Sequence, residues 1–220
     1  MEAAITQADR ADLSALAKVN QAAFMPETLS QIAFKKWPNE EHMTEFFQLR
    51  ISQRFNHPPS KIFKAANPIS GEIYGFTCWT LEDGDNLEEG RSEQTIEAMR
   101  KVAEFMNLEY ITALEEELKD SKCVVLGKKH YYLSSLVVDP AYQGQGIGSQ
   151  LIRHCLPIAD EAGLPTWVNS LPSSHGVFLK NGFLDHKHYD MDFNKLDNNR
   201  LRGFGIYRSY LMVREHPQKG

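Results

Sequence analysis

A chain of 220 residues, 42% of them hydrophobic, can bury the core of one ordinary domain, and a single domain over 1–220 is the simplest expectation. Lys and Arg number 24 against 29 Asp and Glu, a net charge of -5, which argues against a nucleic-acid binder that must displace counterions from phosphates. Met1-Glu2-Ala3-Ala4-Ile5-Thr6 lacks a basic segment followed by an apolar core, and no run approaches roughly 18 apolar residues, so a cytoplasmic protein with no membrane partner is expected. The three cysteines, Cys78, Cys123 and Cys155, are widely spaced and read as reduced packing residues rather than nucleophiles.

Ala3 to Thr6 reads as a first strand, followed by a helix that Asp9 or Asp12 can cap and whose apolar face holds Leu13, Leu16, Ala17, Val19 and Phe24. Beyond the Met25-Pro26 break a polar-aromatic region leads to a second helix, Glu40 to Ile51, stopped by His57-Pro58-Pro59. Lys61 to Ala66 and Ile73 to Leu81 form an antiparallel pair around the turn chemistry of Asn67-Pro68-Ile69-Ser70-Gly71. Within 82–122, Ile96, Met99, Val102, Ala103 and Met106 recur at helical spacing, and a further helix runs to Leu118. That Met/Phe stripe is read as a packing face before an acceptor pocket.

Tyr131 to Val138 is an apolar strand that runs into Asp139-Pro140. Next comes Gln143-Gly144-Gln145-Gly146-Ile147-Gly148, then an amphipathic helix from Ser149 to about Ala162, ended by Gly163 and Pro165. Strand, glycine loop and helix together make an anion cradle, because glycine permits turn conformations that leave helix-start N–H groups facing a phosphate. The loop lacks the Lys-Ser/Thr of a P-loop, and its G-x-G-x-G spacing is a weak match to a dinucleotide fingerprint. Thr166-Trp167-Val168 begins the next strand, Ser173 or Ser174 caps a short helix ending at Asn181-Gly182, and Phe183–Phe193 and Tyr207–Arg214 are the last two strands.

Gln143, Gly146 and Gly148 match the Q/R-x-x-G-x-G/A signature of the GCN5-related N-acetyltransferases, after the hydrophobic-hydrophobic-Val-Asp-Pro lead-in those enzymes carry. About 30 residues on, Val177-Phe178-Leu179-Lys180-Asn181-Gly182-Phe183 is similar to their L-Y-x-x-x-G-F helix end. The chain therefore resembles that family (GNAT) from roughly Tyr132 to Asp190. The resemblance implies an α/β (α+β) fold: a mixed, mostly antiparallel twisted sheet of six to seven strands flanked by helices, with the helical segment of about 82–122 inserted between the third and fourth strands.

It further implies acetyl-CoA as co-substrate, with Leu136, Val137 and Val138 as the strand edge that pairs with pantetheine. Gln143, Gly144, Gln145, Gly146, Ile147, Gly148 and Ser149 would surround the diphosphate, a Cβ at Gly146 or Gly148 being in the way of the phosphate or the packed helix. The acceptor is a primary amine, on a small molecule or a peptide, that attacks the thioester directly; the net acidity favours a cationic acceptor. A longer acyl chain, a hydroxyl acceptor, a non-catalytic CoA-binding module and a homodimer stay open. Many relatives carry a Tyr acid where this chain has Phe178, so Ser170, Ser173 and Ser174 are the hydroxyl candidates. The positions where relatives place a glutamate hold Thr166, Ser134 and Ser135, which leaves Glu82, Asp83, His130 and His175 as candidate bases. No metal is expected: His186 and His188 alternate on a strand, but two ligands are too few for a structural site.

Overall fold

The computed structural model describes residues 3–84, 100–107, 112, 127–195, 203 and 205–217. Cys123, residues 96–99 of the expected Ile96–Met106 helix and, apart from residue 112, the helix expected to end at Leu118 lie outside the described residues. The elements are β1 (Ala4–Gln7), α1 (Leu13–Phe24), α2 (Thr28–Ala33), α3 (Glu40–Phe55), β2 (Ser60–Ala66), β3 (Ile73–Glu82), β4 (His130–Val138), α4 (Ile147–Ala162), β5 (Thr166–Ser170), α5 (Pro172–Leu179), β6 (Leu184–Asp192) and β7 (Ile206–Arg214). No helix among the described residues is long and apolar enough to cross a membrane.

The strands form one seven-stranded sheet in the order β1-β2-β3-β4-β5-β7-β6, antiparallel throughout except for the parallel pair β4–β5. Side-chain alternation along the strands sends Ile62, Phe76, Cys78 and Val137 to one face, where α1, α2 and α3 cover them with Leu16, Ile32, Met43 and Phe47. Phe63, Trp79, Leu133 and Val168 point to the other face, under Ile152, Cys155 and Ala159 of α4 and Phe178 of α5. Burial of each such Leu, Ile or Phe is worth about 1.5–3 kcal/mol, which is what holds the two helical layers on the sheet.

Local chemistry sets the element ends. Asp9 accepts from Ala11 N at 2.7 Å and Asp12 from Asp9 N at 3.0 Å, a reciprocal cap on the single turn that precedes α1. In the β2–β3 turn, Asn67 Oδ1 accepts from Ile69 N and Ser70 N at 2.8 and 3.1 Å. Gly163, at φ 65°, ends α4 in the left-handed conformation. Of the expected Ile96–Met106 helix, residues 100–105 are helical; Val102, Phe105 and Met106 pack on the α1–α3 core, and Phe34 forms an isolated bridge to Met106.

Two irregularities shape the middle of the sheet. Cys78 pairs with Ser135 and Trp79 with Leu133, so Ser134 is a surplus residue on β4, a bulge that bends the strand. On its other side β4 pairs with β5 only at Tyr131–Thr166 and Tyr132–Trp167, leaving positions 133–138 of β4 and 168–170 of β5 facing a gap. The strand that lines this gap lies tightly on β3, because a Cβ at Gly75 would stand 2.5 Å from Val137 O and 3.1 Å from Val138 Cα. Gly75→Ala is expected to lower stability by about 1–3 kcal/mol in urea denaturation. Ile69→Ala, at a side chain 95% exposed, should change it by less than about 0.5 kcal/mol; equal, small effects would show that β3 and β4 are not so closely apposed.

Candidate active site

The glycine loop lies at the wide end of the gap. Gly144 and Gly146 have φ of 74° and 82°, in the left-handed region that side chains rarely adopt, and Gly146 is the N-cap of α4 with no side-chain capping bond. The first helical bond is Gln150 N to Gly146 O at 3.0 Å, so the N–H groups of Ile147, Gly148 and Ser149 have no intrahelical acceptor and point out of a positively polarised helix end. A Cβ at Gly144 would meet nothing within 4 Å, and at Gly146 only Gln150 Nε2 at 3.9 Å, so glycine supplies conformation there and the cradle is open outward.

Gly148 differs from the sequence expectation: a Cβ there would make ordinary contacts of 3.7–3.8 Å with Val177, Leu136 and Val138, so α4 packing alone does not exclude one. The loop glutamines turn inward and brace its shape, Gln143 Nε2 donating to Val138 O at 3.0 Å and Gln145 Nε2 to Ala141 O at 3.3 Å. Ser149 Oγ accepts from Asn181 Nδ2 at 3.1 Å, which leaves the hydroxyl hydrogen available and ties the glycine loop to the second sequence motif.

Leu136 and Val138 pack beside Ile147 and Leu151 under the first turns of α4, whereas Val137, 4% exposed, is buried on the α1–α3 face. Their backbone edge toward β5 belongs to the unpaired stretch 133–138. Phe178 is 1% exposed, packs edge-on against Phe183 with centroids 5.3 Å apart, and shares a buried cluster with Leu133 of β4 and Val168 of β5, one from each side of the gap.

At the β5 lip the polar groups converge. Ser170, 1% exposed, lies 3.0 Å from Ser174 through their hydroxyls, and Leu171 O accepts from Ser170 at 3.0 Å and from Ser174 at 3.2 Å. The helix starts at Pro172, so Ser173 and Ser174 stand inside its first turn instead of capping it. Ser173 Oγ donates to Glu27 Oε1 at 2.6 Å, bringing to this lip a carboxylate that sequence reasoning missed. Glu27 precedes α2, whose six residues are too few to show a helical period and hold together only because Leu29, Ser30, Ile32 and Ala33 are buried.

The other candidate bases are engaged elsewhere. His130, 2% exposed, bonds Lys128 O through Nδ1 at 2.7 Å and Glu82 Oε2 through Nε2 at 3.2 Å. Glu82 is therefore held by a buried histidine on β4, and no contact among the described residues directs it into the gap. Asp83 lies at the surface, its side chain 77% exposed and 3.2 Å from Lys129. His175 is held by Asp185 at 2.7 Å and stacks on Tyr210 at 3.9 Å. Thr166 is fully buried. Burial pushes the Cys155 thiol up to about 12 and the Cys78 thiol above its usual value, so neither is an accessible thiolate. His186 and His188 are exposed on β6, and among the described residues no three His, Cys, Asp or Glu side chains converge as a metal centre requires.

A sheet opened beside a helix start with three outward N–H groups can hold a phosphorylated ligand with an extended arm. The profile of the acetyltransferase (GNAT) family matches residues 27–183, and the chain belongs to that family, which uses acetyl-CoA. Solved structures with the same fold include arylalkylamine N-acetyltransferase 2 from Aedes aegypti, 14% identical over 99% of this chain and 100% of that one, with TM-score 0.66. A histone acetyltransferase HPA2 and related acetyltransferase from Corynebacterium glutamicum is 15% identical over 100% and 99%, with TM-score 0.64. The PaiA N-acetyltransferase of Thermoplasma acidophilum, in complex with coenzyme A, is 12% identical over 98% and 100%, with TM-score 0.56. No curated protein sequence matches the chain.

Gly146→Glu puts volume, backbone strain and negative charge into the cradle. It is expected to abolish CoA binding in isothermal titration calorimetry while the circular dichroism spectrum stays that of a folded protein; unchanged affinity would show that the loop does not hold the coenzyme's phosphates.

Proposed function

We propose that this protein is an acetyl-CoA-dependent N-acetyltransferase that acts on the primary amine of a small molecule or peptide, with Glu27 as the base. The observation that carries the reading is the meeting of three features at one gap: the uncapped start of α4, the unpaired β4 edge over 133–138, and a carboxylate with a serine pair at the β5 lip. The residues fit the coenzyme. The outward-facing N–H groups of Ile147, Gly148 and Ser149 suit its diphosphate, and the free backbone of β4 suits the amides of an extended arm. Names among the structural neighbours, an arylalkylamine acetyltransferase and a coenzyme A complex, accord with this reading.

Acetyl-CoA supplies an activated acetyl group and a thiolate leaving group. The chain's own groups then manage protons. As the amine nitrogen bonds to the carbonyl carbon and the C–S bond breaks, Glu27 takes the proton the nitrogen loses, directly or through the Ser173 hydroxyl that it already holds at 2.6 Å. Ser170 and Ser174 share one carbonyl and each other as acceptors, so one of their two hydrogens can turn to the departing sulfur without stranding a buried donor. Phe178 has no proton to offer and serves as an apolar wall.

Glu27→Gln keeps an acceptor for Ser173 but cannot take a proton. In a thiol-release assay over an amine panel it should lower kcat by about 10²–10⁴-fold, with CoA affinity unchanged by calorimetry. Undiminished turnover would remove Glu27 from the mechanism, and CoA binding without thiol release from the parent with any amine would favour a binding module. Phe178→Tyr is expected to leave turnover within about tenfold of the parent, below the usual worth of a general acid, and to cost about 1–3 kcal/mol of stability because the hydroxyl enters an apolar cluster. A hundredfold rise in the chemical rate would show that the site lacks an acid it needs.

A further inference from the structure

The end of β4 away from the glycine loop borders a pocket of about 210 Å³ on the α4 face of the sheet. Lys61 and Phe63, two residues apart on β2, point to that face together, and Trp79 of β3 is the strand partner of Lys61. One step further along the strands, Leu81 of β3 stands opposite Tyr131 of β4. Ile158 of α4 covers this floor. Ile147 opens that helix at the phosphate cradle, and Ile158 lies about 16 Å further along its axis, so the pocket is remote from the cradle.

Its walls are stiff and apolar. Pro58 and Pro59 form the outer side, where their rings fix the backbone, and Pro59 O accepts from Leu81 N at 3.1 Å, which pins that side to the end of β3. Phe63 and Trp79 are buried, and Trp79 Nε1 already donates to Thr77 Oγ1 at 3.0 Å, so the indole offers the pocket only its ring. The Trp79 and Tyr131 rings stand 6.2 Å apart at 59° and make an aromatic corner. Two polar groups meet this lining. Lys61 is exposed, and its ammonium has no hydrogen bond or ion pair among the described residues; the hydroxyl of the half-buried Tyr131 likewise has no hydrogen-bond partner among them. No carboxylate belongs to the described lining. Apolar walls with one uncompensated cation at the mouth are complementary to an anion with an apolar body.

We infer that this pocket is a second binding site, for a small aryl carboxylate whose ring enters between Trp79 and Ile158 and whose carboxylate stays at the mouth on the Lys61 ammonium. A dry cavity of about 150 Å³ accepts benzene, so this one admits a phenyl ring with a short chain. The aromatic corner favours an aryl body over an alkyl one. The site is separate from the start of α4, so its occupant does not compete with a coenzyme held there, and the inference stands whether or not the chain transfers acetyl groups.

Hydrocinnamate and its neutral amide, titrated into the full chain by calorimetry and followed at the Trp79 indole N–H resonance, compare a carboxylate with its isostere and need no turnover. The acid should shift the Trp79 signal to saturation and bind at least about threefold more tightly than the amide, with the same affinity when CoA is present. Lys61→Met keeps the apolar stem and should bring the two affinities together. Leu81→Trp puts an indole into the cavity and should remove binding of both compounds; the Lys61 variant, at an exposed site, reports even if Leu81→Trp does not fold. Binding of neither compound, equal binding of both by the parent, a preference that survives Lys61→Met, or undiminished affinity in a folded Leu81→Trp variant would overturn the inference. Displacement of the acid by CoA would also overturn it, by placing the acid in the gap.

Discussion

β4 carries one residue more than β3 can pair, and the surplus residue, Ser134, falls two positions beyond the last residue that β5 can reach. A strand bulged on one edge cannot stay parallel to a straight neighbour on the other, so the two rungs at Tyr131 and Tyr132 are followed by divergence. Everything assigned to the site depends on that divergence. It leaves the β4 backbone unsatisfied over a length suited to an extended arm, and it lets α4 begin where a phosphate can approach. It also puts the end of β5, with Ser170 and the start of α5, across an opening instead of against a neighbouring strand.

The parts of the fold legible in the sequence are those with strong local chemistry. The Gly144–Gly148 loop, the Gly163 stop, the Asn67 turn and the alternation of β2, β3 and β4 are dictated within a few residues, and each lies where its pattern puts it. The strand order around β7 is not local, since β7 inserts between β5 and β6. The gap was legible only through family resemblance, because nothing in His130–Val138 marks Ser134 as an extra residue. Glu27 was illegible for a different reason. Its place beside the β5 lip comes from Ser173, 146 positions away, and from a six-residue helix that exists only by tertiary burial. Asp83 shows the converse: proximity in sequence to Glu82 says nothing about which of two carboxylates turns toward solvent.

Net charge is a coarse guide to what a cleft can bind. At -5 the chain as a whole attracts cations, yet the start of α4 beside the gap is a positively polarised helix end. The Debye length in physiological salt is about 8 Å, so the surface acids act on diffusion while the contacts inside a cleft decide what is retained. An acidic protein can thus still offer a local site for an anionic group.

The order β1-β2-β3-β4-β5-β7-β6 can also be regarded as two plates, one of four strands and one of three, that share only two backbone rungs. Side chains make up for the missing rungs. Arg214 of β7 grips Asp160 of α4 at 2.6 and 3.0 Å, Asn181 after α5 holds Ser149 of α4, and Ser173 of α5 holds Glu27 beside α2. These clasps run through the helices rather than the sheet, and so the angle between the plates is governed by polar contacts that are individually weak. An extended molecule bonded to the free edge of β4 and packed against β5 acts as a spline between the plates. The stiffness of the whole sheet is therefore set in part by whether its slot is occupied.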